Sequence, residues 1–501
     1  MKYTEYKQLN PFERFGYNIK NFFTNLPRTL SNFFKKVFDL IISFFTAIVK
    51  GIANFALRFI KGDWATKISY LIMGFGNAVR GQIGKGIIFL AVEIAYILFL
   101  INFGIVQLSK FDNLGDLAVR KYLKSNGRWG EEYVDNSMLI LLYGVLTIVL
   151  TVVFIAVYIS STKSAYKAEQ DVKSGVKLKK FVYEAKEFLD SRFHTTLLSF
   201  PILTIGMFTI LPLIFMILIA FTNYNKANMP PGNLFTWVGF DTFSKVFKIS
   251  SAGADVSKTF FSLTQWTIVW AIIATFSNYL LGMIFALMIN KKSIKLKKLW
   301  RTLFVMTIAV PQFVSLLLIR QMLQTGGGAI NILLQTFGGS EVDFVGASAT
   351  ALMARTTVLI VNCWVGIPYT ILITSGILMN IPVDLYESAT IDGAGPVTSF
   401  FKITLPYMLF VTGPYLITSF IGNINNFNVI FLLTEGGPKS DALYQAGETD
   451  LLVTWLFKLT MNHQDYNLAA AIGILVFIVC ATLSLITFNM TKSARNEEEF
   501  S

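Results

Sequence analysis

The sequence predicts an all-α protein that crosses a lipid bilayer several times, and two observations support this prediction. Of its 501 residues, 54% are hydrophobic and only 15% are charged, whereas soluble proteins carry about 25% charged residues. In addition, eight stretches reach the roughly 20 apolar residues that a spanning helix needs. The predicted transmembrane helices cover residues 86–108, 138–160, 197–221, 263–290, 302–322, 351–378, 407–433 and 468–490.

The lysines and arginines between these stretches predict the orientation. Eight lie between 163 and 192, after the second span, and six lie between 291 and 301, after the fourth. Because cytoplasmic loops are enriched in Lys and Arg, both connectors are expected in the cytoplasm. Eight spans then place both termini in the cytoplasm of a multi-pass plasma-membrane protein. The loop at 109–137 departs from the rule, since Arg120, Lys121, Lys124 and Arg128 would lie outside.

The first 85 residues form a basic region that is expected on the cytoplasmic side. They hold thirteen Lys or Arg against four acids, out of a net charge of +13 for the whole chain. Within them, residues 38–61 place polar side chains three or four apart, which predicts an amphipathic helix lying on the inner leaflet. A ninth, tilted span is the alternative. The Gly-rich segment 68–83 is too short to span and is either re-entrant or interfacial.

The apolar setting of the basic residues favours anionic membrane lipids as partners and argues against nucleic acid. Familiar catalytic or metal-binding constellations are absent from the sequence. Its two histidines, His194 and His463, fall on opposite predicted sides of the membrane, and Cys363 and Cys480 lie in apolar stretches. No G-x-x-x-x-G-K-[ST] motif for nucleotide phosphates occurs. We therefore expect no metal or cofactor on this chain, and any ATP hydrolysis belongs to a partner.

The cytoplasmic connector 381–406 differs from the other inner loops. Pro382 suits a helix start, Gly393 and Gly395 permit a sharp stop, and Pro396 begins a second short helix that Pro406 is expected to end. Two short helices joined by a glycine elbow make a compact knob. From these residues alone, the knob is either a docking element for a partner or an ordinary capped loop.

The same connector resembles the E-A-A-x-x-x-G-x9-I-x-L-P loop of ABC importer permeases, with Ser for the first Ala. In that family the loop is the coupling helix that docks into the ATPase subunit. The resemblance therefore implies a coupling role for seven residues. These are Glu387, Ser388, Ala389, Gly393, Ile403, Leu405 and Pro406.

The flanking segments 361–378 and 419–438 resemble the larger permease of maltose and maltodextrin importers, the MalF type, in a Gram-positive-like variant. This likeness implies a type I permease core of six helices at 197–490, preceded by two additional helices and their connector at 86–196 and followed by a tail at 491–501. It also implies alternating access, with ATP and Mg on the partner ATPase. The implied partners are a smaller MalG-type permease, a MalK- or MsmK-type ATPase homodimer, an extracellular sugar-binding lipoprotein and maltodextrin.

Two predicted spans carry amides and aromatics within apolar surroundings. An oligosaccharide presents hydroxyls and apolar ring faces, so its site needs hydrogen-bonding groups beside stacking surfaces. The resemblance assigns sugar contacts to Asn362, Val365, Gly366, Tyr369, Asn423 and Asn426, and stacking logic adds Phe427. For each asparagine, hydrogen bonding between helices is the structural alternative.

Three other functions compete with maltodextrin import. One is a permease for another oligosaccharide, such as a raffinose-type or mixed-linkage sugar. Another is a membrane glycosyltransferase, which would be expected to show an acidic cluster near the membrane surface. The third is an ion-coupled transporter, for which Glu93 is the one acid deep in a predicted span.

Overall fold

The computed structural model describes most of the predicted helical region. The predicted N-terminal arm up to residue 34, Lys179, Lys180, Lys292 and the tail at 491–501 lie outside the described residues. The described residues are 35, 38–40, 42–116, 119–123, 129–133, 135–178, 183, 186, 187, 189–248, 255–291 and 293–490.

Helices dominate the described part of the chain. In order they are α1 (Phe38–Lys61), α2 (Trp64–Ile68), α3 (Phe75–Val79), α4 (Ile83–Ser109), α5 (Ser137–Lys173), α6 (Phe193–Ile219), α7 (Asp241–Phe247), α8 (Val256–Asn290), α9 (Lys297–Ala309), α10 (Gln312–Leu323), α11 (Ala329–Thr336), α12 (Ala351–Leu378), α13 (Val383–Ile391), α14 (Pro396–Ser399), α15 (Leu405–Ile424), α16 (Phe427–Thr434), α17 (Leu452–Met461) and α18 (Tyr466–Met490).

Eight helical stretches among the described residues are long and apolar enough to cross a membrane. Seven coincide with predicted spans, and the stretch Pro396–Thr434 joins α14, α15 and α16 into one of them. The eighth is α1, which passes by length and composition. The choice between an interfacial and a spanning α1 therefore stays open.

A small hairpin interrupts the helical pattern in the loop predicted at 109–137. Strands β1 (Val119–Leu123) and β2 (Trp129–Tyr133) pair antiparallel, with Val119 opposite Tyr133 and Leu123 opposite Trp129. The helical periodicity that predicts the spans gives no information about this polar connector.

The predicted span at 302–322 is divided into two helices, α9 and α10, which meet at an angle of 87°. Pro311 lies between them, and Val310 before it has an extended ψ of 122°. Proline lacks an N–H and disfavours helical geometry at the preceding residue. Pro311 therefore accounts for the break in the helix at this point.

The expected helix end at Pro406 is wrong. The chain continues from α14 through a π-helical turn, Phe400–Thr404, into α15. The widened turn lies directly before Pro406, where the missing N–H interrupts the ordinary hydrogen-bond ladder. Connector and span are therefore one continuous helical path.

The chain divides into two compact units. The first comprises 1–115 and 138–215, and the second comprises 116–137 and 216–501. In the first unit, a polar cluster holds α2 and α3 against α5. Arg80 Nη2 lies 2.5 Å from Asp63 Oδ1, and Thr66 donates its hydroxyl to Glu169 Oε2 at 2.8 Å. Burial raises the pKa of Asp63, but the hydrogen bonds from Arg80 and Thr66 outweigh it and leave the pKa below its ordinary value.

Glu93, the predicted acid within the first span, has a structural partner in this unit. Its Oε2 accepts the backbone N–H of Met73 at 2.8 Å, in the turn between α2 and α3. The segment 68–83 is thus folded into short helices tied to a neighbouring span. This contact accounts for Glu93 without ion transport.

In the second unit, α8 and α12 are packed against each other at small residues. A methyl group on Gly282 would lie 2.5 Å from Thr370 Cβ, so only glycine permits this approach. Close contact at small residues is typical of helix packing in membranes. On the same helix, Trp270 is fully buried and donates its indole N–H to the Asn423 carbonyl at 3.1 Å. These contacts fix α8, α12 and α15 around a common space.

Candidate functional site

A polar cavity of about 310 Å³ lies among α8, α10, α12 and α15 in the second unit. Six of the seven residues predicted to bind substrate line it: Asn362, Val365, Gly366, Tyr369, Asn423 and Asn426. Its remaining lining residues are Thr275, Asn278, Tyr279, Gln312, Thr370, Tyr415, Ser419 and Gly422. The structure thus brings together side chains from two predicted spans that are separated by more than 50 residues in the sequence.

Helical spacing explains which faces meet at the cavity. Asn362, Val365, Gly366 and Tyr369 recur three or four apart on α12, which places them on one side of the helix. Tyr369 is 46% exposed, so its ring is available to a ligand, whereas Asn362 is 95% buried. A half-open aromatic beside a buried amide is a combination suited to a sugar ring with hydroxyl substituents.

The amide nitrogen of Asn362 is unpaired within the described part of the chain. Its Nδ2 atom is buried, and no described residue accepts a hydrogen bond from it. A buried donor without a partner costs about 1–3 kcal/mol. The natural role for such a group at a cavity wall is to donate to a ligand or to water.

Asn423 and Asn426 have a different environment. Asn423 donates from Nδ2 to Thr275 Oγ1 at 2.9 Å and accepts from Asn426 Nδ2 at 3.3 Å. Asn426 also caps α16 by accepting the Val429 N–H at 3.3 Å. Both amides therefore stabilise the break between α15 and α16. This matches the structural alternative, in which the asparagines form hydrogen bonds within the protein.

The structure does not bring Phe427 to this cavity. Its ring stacks on Phe431 with centroids 4.7 Å apart and meets Phe457 edge-on at 5.0 Å. Phe427 is the first residue of α16, directly after the cap residue Asn426. The sequence does not show where α15 ends and α16 begins, and this break decides the direction of the ring.

The sequence reasoning missed the contribution of α8. Thr275, Asn278 and Tyr279 are spaced three and four apart and line the cavity together. Tyr279 is fully occupied, since its hydroxyl pairs with Thr412 Oγ1 at 2.7 Å. A polar stripe within the apolar stretch 263–290 is the signal that could have identified this face.

The predicted coupling loop forms a separate, exposed feature. Helix α13 begins after Pro382 and ends at Ile391. Two residues later, Gly393 is left-handed with φ of +76°, and its N–H donates to the Thr390 carbonyl at 3.0 Å. A side chain at Gly393 would meet no neighbour, so the backbone conformation alone demands glycine. The elbow predicted from the sequence has this geometry.

The surface of this loop is apolar as well as exposed. Ile391 is 86% exposed and Val397 is 70% exposed, on either side of the elbow. Glu387 and Ser388 are exposed, and Ala389 is half-buried. In contrast, Leu405 packs beside the buried core of Tyr279 and Met408, while Ile403 is half-buried and Pro406 exposed. The seven predicted coupling residues are thus divided between an outward surface and its anchor.

Comparisons with known proteins identify the family of this chain. Residues 278–493 match the family model described as "Binding-protein-dependent transport system inner membrane component". A galactooligosaccharide transport permease of Bacillus subtilis is 33% identical over 435 residues, which cover 85% of this chain and 97% of the relative. The chain belongs to this family of importer permeases. It is therefore a membrane-spanning transport subunit rather than a soluble enzyme.

Other relatives place the permease near the MalF type. A maltodextrin transport permease of B. subtilis is 31% identical over 85% of this chain and 95% of the relative. The maltose/maltodextrin permease of Escherichia coli is 35% identical over 274 residues, which span about half of each chain (54% and 52%). A bacterial alginate ABC transporter shares the fold, with a TM-score of 0.50, 21% identity and 62% of this chain covered.

Proposed function

We propose that this permease imports a maltodextrin-type oligosaccharide through the cavity lined by α8, α12 and α15. The observation that carries the proposal is one cavity whose lining holds both Asn362, with its buried and unpartnered Nδ2, and the half-exposed ring of Tyr369. Sugar hydroxyls supply the missing hydrogen-bond partners, and the aromatic ring supports a sugar face. The names of the maltodextrin and maltose relatives support the same substrate class.

A galactooligosaccharide is the second candidate, since the relative with that name is 33% identical over 85% of this chain. A polar cavity of about 310 Å³ suits hydroxylated rings of either sugar. Competition in a reconstituted importer separates the two candidates. The complex in proteoliposomes should accumulate labelled maltotriose with ATP, and unlabelled maltodextrin should compete better than galactooligosaccharide. The opposite order of competition would transfer the assignment to the galactooligosaccharide.

The coupling surface proposed for the ATPase is the exposed face of α13 with the following turn. Its apolar residues Ile391 and Val397 stand out from the chain, and Gly393 gives the sharp elbow between them. A homodimeric ATPase, holding ATP and Mg, would receive this knob, and a smaller MalG-type permease would supply a second one. A sugar-binding lipoprotein would deliver the substrate. ATP-driven closure then opens the cavity outward and hydrolysis resets it inward.

The proposed orientation places α13 in the cytoplasm and the compact turn after α16 outside. Cysteine labelling in intact cells tests this topology directly. A cysteine at Ser440 should react with an impermeant maleimide, whereas one at Asp392 should react only after permeabilisation. Labelling of Asp392 in intact cells would overturn both the topology and the coupling surface.

The proposed site of α1 is the inner leaflet, with both termini in the cytoplasm. Its apolar residues Phe44, Phe45, Ile48 and Val49 are exposed in the described structure. At its end, Tyr70 donates its hydroxyl to the Phe55 carbonyl at 2.8 Å, which ties α1 to the segment after it. An exposed apolar face with adjacent lysines suits an anionic lipid surface.

A further inference from the structure

A second unpartnered amide lines the same cavity from another helix. Asn278 on α8 lines the cavity and has a buried Oδ1 atom that receives no hydrogen bond from the described residues. Asn362 on α12 presents the complementary case, a buried Nδ2 without an acceptor among the same residues. Two residues on different helices of one cavity therefore carry an unpaired acceptor and an unpaired donor.

This pair of groups matches the chemistry of a hydroxyl-rich ligand. A hydroxyl can donate one hydrogen bond and accept others, so neighbouring hydroxyls of a sugar can serve both amides. Buried polar groups in proteins are nearly always paired, and an exception needs an explanation. A bound sugar satisfies both atoms at once.

Gly366 explains how Asn278 is positioned. A methyl group at Gly366 would lie 2.3 Å from Asn278 Nδ2 and 2.7 Å from its Cγ, well inside contact distance. Asn278 Oδ1 lies 2.9 Å from the same point. The whole amide of Asn278 therefore rests in the space that the missing side chain of Gly366 leaves on α12.

We propose that Asn278 is a substrate-binding and specificity-determining residue that accepts a hydrogen bond from one sugar hydroxyl. Gly366 acts as its positioning residue by leaving room for the amide. The inference rests on the proposed function, because it needs an oligosaccharide to occupy this cavity. It adds α8 to the two helices on which the sequence placed the substrate site.

The test uses the complete importer in proteoliposomes, supplied with maltotriose and a series of its monodeoxy analogues. A site built to bind a hydroxyl rejects the analogue that lacks it. In the wild-type complex, one analogue should lose about 5- to 150-fold in transport efficiency through its missing bond to Asn278. Asn278→Ala should lose a similar factor with maltotriose and become indifferent to that one hydroxyl, while other analogues keep their penalties.

Ser277→Ala is the matched control, since Ser277 is adjacent on α8, bonds to Cys363 Sγ at 3.1 Å and does not line the cavity. It should retain the wild-type pattern of discrimination. Asn278→Leu retains side-chain volume without an acceptor, so it tests the same loss if the alanine variant assembles poorly. The inference would be overturned if an assembled Asn278→Ala or Asn278→Leu complex still rejected the same monodeoxy analogue as strongly as the wild type does.

If Gly366 positions Asn278, substitutions at these two residues should have non-additive effects on transport. Gly366→Ala should reduce maltotriose transport at least tenfold in the wild-type background and much less in the Asn278→Ala background, because the displaced amide is then already absent. Equal losses in both backgrounds would refute this role. A wild-type complex that imports no oligosaccharide would instead refute the proposed function, so the two failures are distinguishable.

Discussion

Replacing Asn362 and Asn423 separately should give opposite phenotypes, although both are buried asparagines at one cavity. Asn423 makes two side-chain hydrogen bonds, to Thr275 at 2.9 Å and to Asn426 at 3.3 Å. Hydrogen bonds within membranes are worth about 0.6 kcal/mol each. Asn423→Ala should therefore lower the stability of the assembled complex by roughly 1.2 kcal/mol, with further loss from the partners left unpaired.

Asn362→Ala removes a donor, Nδ2, that has no acceptor among the residues described in the structure. The stability of the complex should stay the same or rise slightly. The transport rate should fall roughly 5- to 150-fold, which corresponds to about 1–3 kcal/mol, because a sugar hydroxyl loses its hydrogen-bond donor. The assay combines thermal unfolding of the purified complex with ATP-dependent sugar uptake per assembled complex. Reduced stability with unchanged transport per complex for Asn362→Ala would refute the binding role.

Two further substitutions test the coupling elbow and the buried ion pair at α17. Gly393→Ala should impair stimulation of the ATPase, since a left-handed φ costs a non-glycine residue about 1–2 kcal/mol. The control Gly395→Ala should not, because Gly395 has a φ of −71°. Equal ATPase activity of both variants in reconstituted complexes would contradict the role of Gly393 as an elbow. Lys458→Met should destabilise the complex by about 3–5 kcal/mol. The substitution removes the Lys458 Nζ atom that lies 2.6 Å from Asp450 Oδ2 and leaves the buried carboxylate unpaired. The control Lys439→Met should not change the thermal stability. Burial raises the pKa of Asp450 despite the neighbouring Lys458. Acidification should therefore protonate Asp450 and reduce the difference in thermal stability between the wild type and Lys458→Met. A difference that grows at low pH would contradict this expectation.

The spanning helices could be predicted from the sequence because their apolar runs match the thickness of a bilayer. The 87° bend at Pro311 and the continuous helix through Pro406 could not be predicted in the same way. Proline removes one backbone donor, but whether the helix bends sharply or absorbs the loss in a π-helical turn depends on neighbouring packing. Sequence periodicity does not contain that information.

The sequence predicted which residues line the cavity better than it predicted what each side chain does there. Asn362 and Asn423 are both asparagines in apolar spans, yet one amide is free and the other bonds to Thr275. That difference depends on a residue almost 150 positions away in sequence (separation 148), which no local pattern shows. Asn278 was missed for a related reason, since its importance arises from the empty space beside Gly366.

A structure of the assembled importer with a bound oligosaccharide would test the central claim most directly. We predict sugar density in the cavity, with a hydroxyl oxygen within about 3.2 Å of Asn362 Nδ2 and a sugar ring against Tyr369. Density for the sugar elsewhere in the translocation path, with only water at Asn362, would contradict the assignment of this cavity as the substrate site.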